Sequence, residues 1–368
     1  MTDGLLDEDE VAALETPAVV IDLDRMDRRI TDMARLMAGR GIALRPHAKT
    51  HKSVEVARRQ IAAGAAGLTV ATVGEAEVFA DAGLTDLFIA YPLVVRPALG
   101  DRLRRLAARS TLSVGADSVA GLEALAGALS GAESTVRVLI EIDSGGARTG
   151  VRPAEAGGLA RHAAGLGLTV AGAFTHEGHG YRGGTMRSTA GDDAATALEV
   201  AAAALRDAGF EPTVLSAGST PTAEASAHGI VTEERPGTYV FGDRLQAAIA
   251  GDRADDAALM VATTVVSAGS GGGFVVDAGA KVLAQDVSPM LAGHGAIVGR
   301  PDAVISRLND HHGVVDLPGG GERPAIASVV WIVPNHVCPV VNLVDWLVVA
   351  QAGRVVDRWP VDARGRNG

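Results

Sequence analysis

At 368 residues the chain is longer than the roughly 100–200 residues of a typical domain, so it fits one large α/β barrel or two domains. Hydrophobic residues make up 47% and charged residues 21%, enough for a sizeable core and incompatible with wholesale disorder. Lys and Arg number 33 against 44 Asp and Glu, a formal charge of −11, and aromatics are only 3%. Such a chain lacks the phosphate-neutralising charge and the stacking platforms of a nucleic-acid binder.

The single cysteine, Cys338, excludes an intramolecular disulfide. The acidic opening MTDGLLDEDE has neither the basic nor the apolar region of a signal peptide. No stretch supplies the roughly 20 apolar residues of a membrane span. The longest candidate, Val329–Ala352, is broken by prolines, His336, Asn342 and Asp345. A soluble, cytoplasmic protein is expected.

Strands are predicted near Ala43–Pro46, Leu68–Thr72, Leu87–Tyr91, Leu112–Gly115, Arg137–Ile142, Leu168–Thr175, Thr213–Ala217 and Pro236–Phe241. Between them Ser53–Ala63, Gly74–Ala82, Ser118–Leu129 and Ala194–Ala208 are rich in Ala, Leu, Glu and Arg, all good helix formers. This alternation predicts βαβ units around a parallel sheet, and about eight of them make a (β/α)8 TIM-type barrel. A doubly wound open sheet fits the alternation less well, because it usually has fewer strands. After about Gly251 the chain turns Val-rich and Gly-punctuated, which predicts a C-terminal β domain. The strand-like Thr16–Leu23 is a candidate to join it. The expected division is a barrel over 20–250 and a β domain from 1–19 and 251–368. Ser267–Gly273 is the only stretch of linker-like composition.

Catalytic groups of such barrels sit at the C-terminal ends of strands. Four polar loops occupy that position. Arg45–Lys52 (RPHAKTHK) ends the first strand and offers two lysines and two histidines to an anionic or carbonyl-bearing ligand. Glu141–Gly150 follows the fifth strand and Thr175–Tyr181 (THEGHGY) the sixth. Gly218-Ser-Thr-Pro-Thr222 follows the seventh, with small residues and hydroxyls suited to an anion. In the β domain, His336 and Cys338 share a face if that segment is extended, and imidazole with thiolate suits Zn²⁺. Two ligands do not close a tetrahedral site, so spacing alone leaves a buried cysteine beside a polar neighbour as the commoner reading.

Together, RPHAKTHK, the loop at Arg148, HEGHGY, the Gly-Ser-Thr turn, RPGTYVFGD and PNHVCPVVNL resemble the pyridoxal-phosphate enzymes of fold type III. Within that group the chain is similar to the branch of D-threonine aldolase, D-3-hydroxyaspartate aldolase and eukaryotic-type D-serine dehydratase. The resemblance implies an alanine-racemase-like barrel plus β domain, a lyase acting on small D-3-hydroxy amino acids, and a homodimer. It implies that Lys49 carries pyridoxal 5'-phosphate and that Arg148 contacts the cofactor ring oxygen. Gly218, Ser219, Thr220 and Tyr239 would surround its phosphate or ring, and His176 and Tyr181 would face the substrate. His336 and Cys338 would ligate a divalent metal, Zn²⁺ in preference to Mn²⁺ or Mg²⁺. His312 matches a family His-Gly without an assigned role. Cys338 stands where the aldolases carry Asp, which tilts the expectation toward a D-serine dehydratase type, although PVVNLVDW resembles the aldolases. An amino-acid racemase, which would not need the His336–Cys338 pair, and a non-catalytic cofactor carrier are the alternatives.

Overall fold

The structure, a computed structural model, describes residues 4–129, 136–268 and 272–368. Part of the Gly-rich stretch, residues 269–271, lies outside these. By contacts the chain forms two compact units. One comprises Asp32–Lys49, Val56–Gly237 and Arg366–Gly368; the other comprises Met1–Thr31, Thr50–Glu55 and Thr238–Gly365. Among the described residues, no helix is long and apolar enough to cross a membrane.

The first unit is the α/β barrel expected from the alternation. Its parallel strands run, in spatial order, Ala43–Leu44, Glu233–Glu234, Val214–Ala217, Thr169–Phe174, Arg137–Glu141, Thr111–Ala116, Asp86–Pro92 and Leu68–Val70. A parallel bridge between His47 and Thr69 joins the two end strands, so the ring closes. The strands are short and largely buried, as parallel strands covered on both faces must be. Phe88, Leu139, Ala171 and Phe174 form one interior cluster, with the Phe88 and Phe174 rings edge to face at 5.0 Å.

Local chemistry sets the helices between the strands. The Val73–Asp81 helix starts where Thr72 accepts the Glu75 N–H at 3.0 Å, while the Glu75 carboxylate accepts the Ala71 N–H at 2.7 Å. The long Met186–Asp207 helix buries Ala190, Ala194, Ala197, Leu198, Ala201 and Leu205, the spacing of one helical face.

The eighth strand departs from expectation. It is Glu233–Glu234, whereas 236–241 leaves the sheet and closes a 3-10 turn at Thr238–Val240. Pro236 has no N–H for the ladder. The two glutamates, poor strand formers, are held by side-chain partners. Arg45 Nε donates to Glu233 at 2.6 Å, Ser216 to Glu233 at 2.8 Å and Ser226 to Glu234 at 2.7 Å.

The second unit is a mostly antiparallel sheet. Leu259–Ser267 lies at its centre and pairs antiparallel with Ala18–Asp22, Phe274–Val276 and Val329–Pro334. Ala18–Asp22 also pairs in parallel with Trp346–Gln351, which continues antiparallel into Arg354–Pro360. Leu6, Val20, Met260, Trp331, Val333 and Val348 belong to its core.

Candidate functional site

In a closed ring of parallel strands, the loops that follow the strands share one mouth. Lys49 lies in the loop after Ala43–Leu44, with an exposed side chain between buried Ala48 and Thr50. Arg148 lies in the loop after Arg137–Glu141. That loop is shaped by Asp143, whose side chain accepts the Gly145 N–H at 2.8 Å and the Ala147 N–H at 3.1 Å. Thr149 ties the loop back to Glu141 at 2.7 Å. The Arg148 side chain is exposed and makes no ion pair or hydrogen bond among the described residues.

His176 lies two residues beyond the sixth strand, and its Nδ1 lies 3.0 Å from the Gly218 carbonyl. With Nδ1–H donating there, Nε2 is left as an acceptor. Burial is the main cause that pushes the imidazole down to about 3, and the positive charges of Lys49, Arg148 and Arg235 act the same way. His176 is therefore neutral at physiological pH. Tyr181, in the turn Gly178–Arg182, has its ring 6.4 Å from that of His176.

The turn after the seventh strand is tightly built. Gly218 has φ +151°, and a Cβ there would lie 2.5 Å from the Arg235 backbone nitrogen. Ser219 Oγ is 2.6 Å from Thr222 Oγ1, and Thr222 Oγ1 is in turn hydrogen-bonded to Glu177 Oε1. Thr220 Oγ1 accepts the Gly237 N–H at 3.2 Å. Tyr239, two residues further on, is buried in the 3-10 turn and falls in the second unit.

This arrangement gathers Lys49, Arg148, His176, Tyr181, Gly218, Ser219 and Thr220 on barrel loops. It offers an accessible amine, an unpaired guanidinium and a turn of hydroxyls where backbone approaches closely. An amine-bound aldehyde carrying a phosphate and a phenolic oxygen fits that donor set.

His336 and Cys338 lie in the second unit, but not on an extended segment. The strand ends at Pro334, His336 caps the helix Val337–Leu343, and Cys338 is in its first turn. The two side chains nevertheless lie close enough to act on one another electrostatically. Asp286 Oδ2 accepts from His336 Nδ1 at 2.7 Å, and Thr50, the residue after Lys49, places Oγ1 3.3 Å from Cys338 Sγ. Burial opposes protonation of His336, yet Cys338, Asp243 and Asp286 together push it up to about 9. Asp286 holds the imidazole as a carboxylate behind a metal-ligating histidine does. Among the described residues no three His, Cys, Asp or Glu side chains form a ready metal cluster. An imidazole and a thiol on one helix start, the imidazole backed by a carboxylate, are the donor types a divalent metal such as Zn²⁺ takes. His312 is exposed beside the Leu308–Gly313 turn, where its carbonyl accepts the Asn309 N–H.

Sequence reasoning missed the supporting groups. Arg235, buried, donates to Thr175 O, Ser216 Oγ and Ala217 O and lies 5.3 Å from the Phe174 ring centroid. Its position inside RPGTYVFGD was the only signal. Glu177, Thr222 and Asp243 likewise lie inside THEGHGY, the Gly218–Thr222 turn and RPGTYVFGD, whereas Asp286 carries no signal beyond being polar.

Residues 21–245 match the family described as alanine racemase, N-terminal domain, and residues 258–350 match the putative serine dehydratase domain. The chain is 35% identical to the D-threonine aldolase of Arthrobacter sp., over 97% of this chain and 94% of that protein. It is 38% identical to the D-threo-3-hydroxyaspartate dehydratase of Delftia sp. (strain HT23), over 90% and 93% respectively. The solved structure of the Delftia dehydratase superimposes with a TM-score of 0.89 at 34% identity, covering 95% of this chain and 98% of that one. The D-threonine aldolase of Filomicrobium marinum gives 0.86 at 34%, covering 96% and 97%. Further structures of the dehydratase are a His-to-Ala mutant and, two positions along, a Cys-to-Ala mutant in a metal-free form.

Proposed function

Because the chain belongs to the alanine-racemase-like family of pyridoxal-phosphate lyases that includes these D-threonine aldolases and D-threo-3-hydroxyaspartate dehydratases, we propose that it dehydrates D-3-hydroxy amino acids. The products would be a 2-oxo acid and ammonia. The observation that carries the choice is the His336–Cys338 pair. The Delftia dehydratase has structures in which a His and a Cys at the same two-residue spacing are replaced, the Cys mutant being metal-free.

When bound, pyridoxal phosphate supplies an electron sink for a carbanion at Cα, and a divalent metal supplies a Lewis acid for the 3-hydroxyl. Lys49 Nζ would hold the cofactor aldehyde and would serve as the base for the Cα proton. Arg148 would supply a cation to the ring oxygen. Gly218, Ser219, Thr220 and Tyr239 hold the phosphate end. His176, with Nδ1–H committed to Gly218 O, presents a neutral Nε2 to the substrate, beside Tyr181. His336 and Cys338 hold the metal, and the thiolate favours Zn²⁺ over Mn²⁺ or Mg²⁺.

Retro-aldol cleavage to glycine and an aldehyde is the second reading, favoured by the identity to D-threonine aldolase over nearly the whole chain. It needs a base for the hydroxyl proton. An imidazole held near 3 is a poor one, because efficient bases have pKa values near the working pH. A homodimer follows by analogy with the fold type.

The test is metal dependence. Lys49→Ala is expected to abolish cofactor retention and activity. Metal-stripped protein is expected to be inactive on D-threo-3-hydroxyaspartate and to recover 2-oxo acid formation with added Zn²⁺. Full activity in chelator would overturn the assignment of His336 and Cys338.

A further inference from the structure

The barrel contains a chain of three buried side chains, of which the lyase reading uses Ser219 alone. Glu177 and Thr222 are fully buried and Ser219 is 4% exposed. Ser219 Oγ touches Thr222 Oγ1 at 2.6 Å, Thr222 Oγ1 touches Glu177 Oε1, and Glu177 Oε2 accepts the Gly218 N–H at 3.4 Å. Each hydroxyl has one proton to give, so the direction of the chain is decided at the carboxyl end. If Glu177 is ionised, Thr222 must donate to it and Ser219 must donate to Thr222. Ser219 then turns only lone pairs toward an anion. If Glu177 carries a proton, it donates to Thr222, Thr222 donates to Ser219, and the Ser219 O–H is released to donate outward.

We infer that Glu177 is a protonated positioning residue that aims the Ser219 hydroxyl at the phosphate of pyridoxal 5'-phosphate. The inference rests on the reading above that the Gly218–Thr220 turn holds that phosphate. The surrounding charge supports it. Glu141, Glu177, Glu233 and Glu234 are all buried, against two buried guanidiniums, Arg45 and Arg235. Arg235 acts on both Glu177 and Glu234, Glu177 and Glu233 push Glu234 up, and Glu141 acts on Arg235 while the exposed Arg148 acts on Glu141. Even with Arg148 beside Glu141, three cations do not balance four carboxylates, and unpaired buried charge is expensive. Burial raises the Glu177 carboxyl in spite of its bonds to Thr222 and Gly218. A phosphate dianion at the turn raises it further.

Two readouts test this. One is the infrared band of a protonated carboxyl in wild type at pH 7, and in the difference between wild type and Glu177→Gln. The other is the dissociation constant of pyridoxal 5'-phosphate for the cofactor-depleted protein. In Glu177→Gln the Gly218 N–H fixes the amide oxygen on its own side and leaves the NH₂ to donate to Thr222, which reproduces the protonated acid. The difference spectrum should contain the band, and Glu177→Gln should bind the cofactor within about threefold of wild type. Ser219→Ala should bind it about tenfold more weakly, the loss of one charge-assisted hydrogen bond. The inference is overturned if wild type lacks the band, if the difference spectrum is silent there, or if Glu177→Gln binds as weakly as Ser219→Ala. The wild-type band does not depend on any variant folding. If instead Ser219→Ala binds as wild type does, the placement of the phosphate at this turn fails.

Discussion

His176 shows how much a single neutral side chain costs and contributes. Its imidazole is held near 3, against about 6.5 in an unfolded chain. Below pH 6.5 the unfolded chain binds a proton that the folded one refuses, so stability falls as pH drops toward 3, by at most about 1.4 kcal/mol per pH unit from this group. His176→Gln, which keeps a donor for Gly218 O, should flatten the acid limb of a urea-midpoint profile between pH 6 and 4. An unchanged limb would show that His176 is not the titrating group. At the second cluster, Cys338→Ala should lose bound metal and activity while retaining the cofactor, as metal analysis and absorbance together would reveal. The sequence made Lys49, Arg148, His176, His336 and Cys338 visible because their side chains are reactive and lie in polar motifs. Asp286 was not visible, and Glu177 was visible only as a member of the THEGHGY loop, without its role. Their importance comes from what they touch, at 2.7 Å to His336 and through Thr222 to Ser219, across 50 and 42 residues of chain.

Among the elements, strand–helix alternation was readable wherever apolar runs were long enough, and seven of the eight barrel strands overlap their expected positions. The eighth was misplaced because Glu233–Glu234 reads as a charged loop until Arg45, Ser216 and Ser226 are brought to it. The same lesson applies to His336 and Cys338. They meet because a helix begins between them, not because a strand continues. The Gly218 turn permits a sharp prediction. Gly218→Ala places a methyl against the Arg235 backbone at a φ of +151°, so destabilisation of more than about 2 kcal/mol and loss of cofactor affinity are expected. A thermal melt of the apo protein beside a cofactor titration checks both parts.

For the whole molecule, the family is shown by matches spanning nearly the full chain, and the barrel with its mostly antiparallel companion sheet is the expected architecture. What the family does not decide is the bond that breaks, since aldolases and dehydratases both lie at 34–38% identity. The most direct measurement is product identification by mass spectrometry. The protein loaded with pyridoxal phosphate and Zn²⁺ would be incubated separately with D-serine, D-threonine and D-threo-3-hydroxyaspartate. 2-Oxo acids and ammonia are expected from the substrates that react, pyruvate from D-serine and 2-oxobutyrate from D-threonine. Glycine with acetaldehyde from D-threonine, and no 2-oxo acid from any of the three, would contradict the proposed dehydration.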